Sequence, residues 1–222
     1  MQRTRIKIDG ICRPTDAAAA TRAGADAVGI VLDPTAGRHV STQTAAKIVE
    51  ATGPLVTTVG VFVNASVDEI QKTFALIPLN VAQLHGDEPP QFVADLKPIR
   101  VIKALHLAPG DTTTLHTWRQ AIADLHLTNL IALVVESARP TPERGGTGIA
   151  SDFAYLHDLQ SRGQFKNLPP IIVAGGLTPQ NVGDVVRLLQ PYAVDVSSGV
   201  ESTHREKSPE KLEDFVRAVR EA

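Results

Sequence analysis

The chain has 222 residues, 43% of them hydrophobic, and its 24 acidic and 22 basic side chains leave a formal net charge of −2. That length and apolar content suit one core-forming domain over residues 1–222, while the balanced charge without a basic stripe argues against nucleic acid as a partner. No apolar run reaches the roughly 18 residues of a membrane span, "MQRTRIKIDG" does not read as a secretory signal, and the single cysteine, Cys12, excludes an internal disulfide and a cysteine-rich metal site, so a cytoplasmic protein is expected.

In chain order, short β-branched runs alternate with alanine- and leucine-rich segments of helical spacing. The runs are "RIKID" (5–9), "AVGIVL" (27–32), "TTVGVFV" (57–63), "LNVAQLH" (79–85), "RVIKAL" (100–105), "LIALVVE" (130–136), "IIVAGG" (171–176) and "AVDVSSG" (193–199). Between them lie "PTDAAAATRAGA", "STQTAAKIVEAT", "SVDEIQKTFALI", "TPQNVGDVVRLL" and "SPEKLEDFVRAV", several opening on Ser or Thr followed by Pro or an acidic residue. Such openings satisfy the free N–H groups of a helix start. Eight β-α units without a composition break predict a closed parallel (β/α)8 barrel, a TIM barrel. An open doubly wound sheet is second, because "DGICR" after the first strand is not the glycine-rich turn such sheets carry.

In a (β/α)8 barrel, chemistry sits where strands end and βα loops begin. Those positions hold Asp9, Arg38, Asn64, Gln83, His85, Lys103, Glu136 and the loop "RGGTG" containing Gly146. The last two strands end in Gly175 and Gly176, and in Ser197, Ser198 and Gly199. Polar strand ends on apolar strands argue for an enzyme. Glycines let backbone N–H groups approach an anion closely, and the loops after strands 7 and 8 hold phosphate in many such barrels. Gly175, Gly176, Ser198 and Gly199 are therefore expected to bind a phosphorylated ligand; tight turns alone are the alternative.

The segments "KIDGICRPTDA", "GADAVGIVL", "GRHVS", "VGVFVN", "AQLHGDE", "GGTG" followed by "SDF", "VAGGLTPQNV" and "VDVSSGVE" occur in this order across residues 7–201. Together they resemble the phosphoribosylanthranilate isomerases of tryptophan biosynthesis. The resemblance implies a (β/α)8 barrel acting on a small phosphorylated sugar, with no metal or organic cofactor and no nucleic-acid or membrane partner, as a monomer or homodimer. The implied reaction is the Amadori rearrangement of N-(5-phosphoribosyl)anthranilate to the 1-deoxyribulose isomer. It also implies that Arg38 meets the anthranilate carboxylate, with a solvated loop arginine as the alternative, and adds Gly146 and His85 to the substrate-binding residues.

Two positions depart from the family pattern. Where the family's first strand carries a cysteine, taken as the general base, this chain has Asp9; where the sixth strand carries an aspartate, the general acid, it has Glu136. Cys12 lies past the glycine and is not read as a displaced base. Two carboxyl groups can supply base and acid if their surroundings separate their pKa values, and burial is expected to raise that of Asp9. The related isomerase of histidine synthesis works with two carboxylates, which keeps a different phosphosugar substrate as an alternative, beside an inactive barrel that only binds one. Gln83 and His85 alternate onto one strand face, and the pattern alone leaves both structural hydrogen bonding and ligand contact open as their role. Lys7 lies one layer below Asp9, and the pattern suggests a buried pair with Asp195. Trp118 carries no functional reading.

Overall fold

The computed structural model describes residues 3–111, 113–137 and 151–222. Eight parallel strands close into a barrel: β1 (Arg5–Ile8), β2 (Ala27–Val31), β3 (Thr57–Phe62), β4 (Val81–Leu84), β5 (Val101–Leu107), β6 (Leu130–Ser137), β7 (Ile171–Val173) and β8 (Ala193–Val196). The ring closes because β1 pairs with both β2 and β8, which excludes the open sheet. Helices α1 (Pro14–Ala23), α2 (Thr42–Ala51), α3 (Val67–Leu76), α4 (Pro90–Asp95), α5 (Thr114–Asp124), α6 (Phe153–Ser161), α7 (Val182–Leu189) and α8 (Pro209–Arg220) follow the strands in turn. A short 3-10 turn, Ser198–Val200, and a small hairpin of β9 (Glu201–Thr203) and β10 (Glu206–Lys207) stand between β8 and α8. No helix among the described residues is long and apolar enough to cross a membrane.

Helix starts follow the capping chemistry of the sequence. Ser41, Ser66 and Ser208 each accept a backbone N–H of the first turn, and at Ser66 the Glu69 carboxylate returns the bond to complete a capping box. The expected start of α7 at Thr178-Pro179 is displaced to Val182, because the Asn181 side chain folds back on the loop, accepting from Thr178 N and donating to Gly176 O. Trp118 is a buried packing residue of α5.

Side chains alternate between two cores. One parity of the strands (Ile6, Ile8, Val28, Ile30, Leu133, Val135) packs outward against the helices, and each fully buried aliphatic there contributes about 1.5–3 kcal/mol. The other parity fills the barrel with Val59, Val81, Ile102, Ala104, Ala132, Val134, Ile172 and Ala193. Toward the C-terminal ends this inner column turns polar and remains buried: Lys7, Gln83 and Asp195 lie there. Lys7 and Asp195 are register partners across β1 and β8, and Lys7 Nζ donates to Asp195 Oδ2 at 2.8 Å, the pair the sequence pattern suggested.

Strand limits differ from expectation in two informative ways. β7 ends at Val173, because Gly175 and Gly176 take φ of +94° and +65°, outside the extended region. β5 runs on to Leu107 rather than stopping at Leu105, so His106 continues the inward column of Ile102 and Ala104.

Lys7 Nζ pairs with two carboxylates, Asp9 Oδ2 at 3.1 Å and the buried Asp195 Oδ2 at 2.8 Å. Replacing it leaves buried negative charge uncompensated, which costs about 3–5 kcal/mol. Lys7→Met is expected to lower the unfolding free energy by that amount in urea titrations at pH 8; an unchanged midpoint would show that the pair does not hold the barrel interior.

Candidate active site

Asp9 is the first residue beyond β1. Its backbone N–H donates to Val196 O at 2.8 Å, which keeps it in the barrel register. Its carboxylate lies between Lys7 Nζ and the N–H of Gly10, 2.9 Å from Oδ1. Gly29 on the neighbouring β2 makes the space: a Cβ there would stand 1.9 Å from Asp9 Oδ1. Gly10 has φ +66°, and a side chain on it would strike Arg38 and Ser197.

The charges are partitioned around Lys7. Burial alone would raise the pKa of Asp9, but the Lys7 ammonium, His85 and the Gly10 N–H together bring it below the ordinary carboxylate value. The expectation that burial would raise it is thus overturned by the ammonium 3.1 Å away. Asp195, buried and repelled by Asp9, is pushed up to about 7 in spite of the same ammonium. Burial would lower Lys7, but its two carboxylate neighbours keep its pKa raised. One positive charge supports one negative charge, and Asp9 is the group that keeps it.

Glu136 projects from the penultimate position of β6, three strands from β1 around the ring through β8 and β7. It is buried, with His85 Nε2 at 3.5 Å and His106 Nδ1 at 3.6 Å from its Oε1. His106 is the strand partner of Glu136 across β5 and β6, and its ring meets His85 edge-on at 5.3 Å between centroids. Burial first, then the neighbouring His106, lowers the pKa of His85 to about 3, so it is neutral near pH 7. Its Nδ1 lies 3.2 Å from Gln83 Nε2. With the amide donating there, the ring proton sits on Nε2 and faces Glu136.

The remaining positions sort into ligand-facing loops and supports. Lys103, read as a strand-end site residue, lies mid-strand in β5 with the opposite parity. Its Nζ donates to Leu84 O, Gly86 O and Glu88 Oε2 and pins the loop after β4. Asn64 serves that same loop, accepting from Asp87 N. The loop after β7 is tied to the end of β6 through Ser151, whose N–H donates to Gly175 O and whose hydroxyl accepts from Ser137 N and donates to Ala174 O. Gly199 abuts the same loop, since a Cβ on it would lie 1.9 Å from Leu177 O. Gly175, Gly176, Ser198 and Gly199 therefore form one joined mouth over β7 and β8. Gly146 lies outside the described residues.

Arg38 arches over Gly10, and its Nε and Nη2 donate to the two carboxylate oxygens of Glu201 at 2.8 and 2.7 Å. It is a held side chain rather than a solvated one, with its Nη1 end uncommitted among the described residues. Glu201 also receives Lys207 Nζ at 3.1 Å. Cys12 is buried behind this loop with its Sγ 3.4 Å from Arg38 O, and burial pushes its thiol pKa up. Sequence reading missed His106 and Glu201. Continued alternation along "IKALHL" would have found the histidine; no local signal marks the glutamate.

A barrel mouth with glycines over β7 and β8 and a carboxyl on either side offers groups suited to proton transfer. The chain matches the sequence profile described as N-(5'phosphoribosyl)anthranilate (PRA) isomerase over residues 6–218. It belongs to the N-(5'-phosphoribosyl)anthranilate isomerase family. The enzyme of that name from Pseudomonas putida is 40% identical over 223 residues, all of both chains. The crystal structure of phosphoribosyl anthranilate isomerase from Thermus thermophilus superposes with a TM-score of 0.80 at 35% identity, covering 97% of this chain and 98% of that one. Another isomerase of the family, solved in complex with reduced 1-(o-carboxyphenylamino)-1-deoxyribulose 5-phosphate, superposes with a TM-score of 0.81 at 29% identity over 99% of this chain and all of that one. The chain is accordingly an aldose–ketose isomerase of tryptophan biosynthesis.

A carboxyl whose pKa is higher folded than unfolded stabilises the fold below the unfolded value and loses that contribution as pH rises through the folded one. For Asp195 the window runs from about 4 up to about 7. Unfolding free energy is expected to fall between pH 5 and pH 8 in the natural chain and to fall less in Asp195→Asn. Parallel curves for the two proteins in guanidinium titrations would overturn the assignment.

Proposed function

We propose that Asp9 is the general base and Glu136 the general acid of the Amadori rearrangement of N-(5'-phosphoribosyl)anthranilate. The observation that supports this reading best is the Lys7 ammonium 3.1 Å from Asp9, which keeps that carboxylate ionised. Glu136 gives its proton to the furanose ring oxygen, the C1–O bond breaks, and the anthranilate nitrogen forms a Schiff base with C1. Asp9 takes the proton from C2, leaving an enolamine. C1 then regains a proton from Asp9 while the 2-hydroxyl returns one to Glu136, so the ketone forms and both carboxyl groups recover their starting states. The steps are proton transfers throughout and need no redox partner. Neutral His85, held by Gln83, orients the Glu136 carboxyl through its Nε2 side.

Phosphate is assigned to the backbone N–H groups of Gly175, Gly176, Ser198 and Gly199, with Gly146 of the "RGGTG" segment as a further contact. The anthranilate carboxylate is assigned to the Nη1 end of Arg38, whose other nitrogens Glu201 fixes in a planar fork. Neither histidine-pathway substrate nor mere binding is favoured by any feature of the site; both are settled by turnover.

Asp9→Asn is expected to lower kcat by about 10²–10⁴-fold with the dissociation constant for a reduced product analogue nearly unchanged. Cys12→Ser should change little. Because the pKa of Asp9 lies below the ordinary carboxylate value of about 3.9, the natural enzyme should show no acid limb from this group above about pH 4. Asp9→Cys should be active with its rising limb moved toward the thiol value near 8.5. Full turnover in Asp9→Asn, or loss of it in Cys12→Ser, would show another group to be the base; binding without turnover in the natural chain would make it an inactive barrel.

The two anchor assignments separate on ligand. Arg38→Ala should raise KM for the substrate at least tenfold and leave inhibition by inorganic phosphate unchanged. Gly199→Ala, which forces the loop away from Leu177 O, should weaken both. Equal loss of phosphate inhibition in the two variants would move Arg38 to the phosphate.

A further inference from the structure

His85, His106 and Glu136 offer one ligating atom each, and these atoms all lie within 4.8 Å of one another. Two edges of the triangle are 3.5 Å (His85 Nε2 to Glu136 Oε1) and 3.6 Å (His106 Nδ1 to Glu136 Oε1). Zinc bound tetrahedrally at about 2.0–2.2 Å from nitrogen and oxygen requires ligand edges of about 3.3–3.6 Å, whereas octahedral ligands at the same distances stand about 2.8–3.1 Å apart. The two edges from Glu136 fit the tetrahedral spacing, and the third, between the imidazoles, lies within 4.8 Å. Two imidazoles and one carboxylate from the ends of three neighbouring strands form a donor set of the kind that holds zinc.

We propose that these three side chains bind a zinc-class divalent cation, and that binding switches the isomerase off by coordinating Glu136. The support around His85 suits either state of its ring. Gln83 is wholly buried; its Nε2 faces His85 Nδ1 at 3.2 Å, and its Oε1 has no hydrogen-bond partner among the described residues. Rotating that amide by half a turn brings Oε1 to Nδ1 as an acceptor. The ring proton then moves to Nδ1 and Nε2 presents its lone pair to the metal. An outer oxygen that fixes the tautomer of a metal-bound histidine is the usual partner of such a ligand. Binding would release one proton for each protonated ligand displaced, and it breaks no covalent bond between heavy atoms. Inhibition, unlike binding, rests on the proposed role of Glu136: a carboxylate held by zinc cannot carry the proton needed at the ring oxygen.

The test uses the full chain and the metals alone. Co²⁺ titration should give the visible absorption of a tetrahedral site at one equivalent, displaced by Zn²⁺ and abolished by a chelator. His106→Gln, checked for folding by circular dichroism, should lose this spectrum, and Gln83→Leu should weaken Zn²⁺ binding by roughly 10–100-fold. His204→Gln, on an exposed histidine outside the site, should leave it intact. Isomerase activity should fall with Zn²⁺ occupancy and return on chelation. No tetrahedral spectrum, or equal spectra in the natural chain and His106→Gln, would overturn the site. A saturated site with undiminished turnover would overturn the switch and, separately, the role of Glu136 as acid.

Discussion

The Lys7 ammonium inside the barrel is the constraint on which the rest of the site depends. Burying one charge is costly unless partners surround it, and here the partners come from β1 and β8, the two strands whose pairing closes the ring. Closure of the ring sets Asp195 against the Lys7 ammonium, whereas Asp9 meets it along its own strand. The same arrangement explains why two neighbouring aspartates behave oppositely. A single ammonium cannot hold two carboxylates ionised in a dry interior, so Asp195 moves toward the neutral form and Asp9 keeps its charge.

The price of this arrangement for catalysis is base strength. A carboxylate held below its ordinary pKa accepts protons less readily than a thiolate would, but it is fully available at neutral pH, whereas a thiol of pKa about 8.5 is mostly protonated there. Position then decides the outcome. Gly29 lets the carboxylate lie against β2, and the bond from Asp9 N to Val196 O fixes its height at the barrel mouth. Glu136 sits on the other wall beside two imidazoles, whereas Asp9 lies against the Lys7 ammonium. Two similar side chains are given different environments, and that difference underlies their separate proposed roles.

Around these reacting groups stands a layer of supports whose work is geometric. Lys103 and Glu88 hold the loop after β4, Ser151 joins the ends of β6 and β7, and Glu201 with Lys207 holds Arg38. Each is a buried polar group satisfied by several partners, as the low dielectric of the interior demands. The loops that carry the glycines are thus anchored to the strands on which the carboxyl groups stand.

By itself the sequence determined the eight-fold alternation of strand and helix, the barrel, the family, and the strand-end positions of Asp9, His85 and Glu136. These are local properties: periodicity, capping residues, and motifs confined to a few adjacent residues. Even the Lys7–Asp195 pair followed from parity once β8 was placed beside β1. The tertiary structure alone decided the rest. The direction of the Asp9 pKa depended on whether burial or the ammonium wins at 3.1 Å. Lys103 turned out to lie mid-strand, with parity opposite to the inward Ile102 and Ala104, and to hold the loop after β4. His106 entered the site through the extension of β5 to Leu107. Glu201 reaches Arg38 across 163 positions of chain, a separation over which sequence spacing carries no geometric information, because only the closed ring brings the end of its last strand back to the loops of its first two.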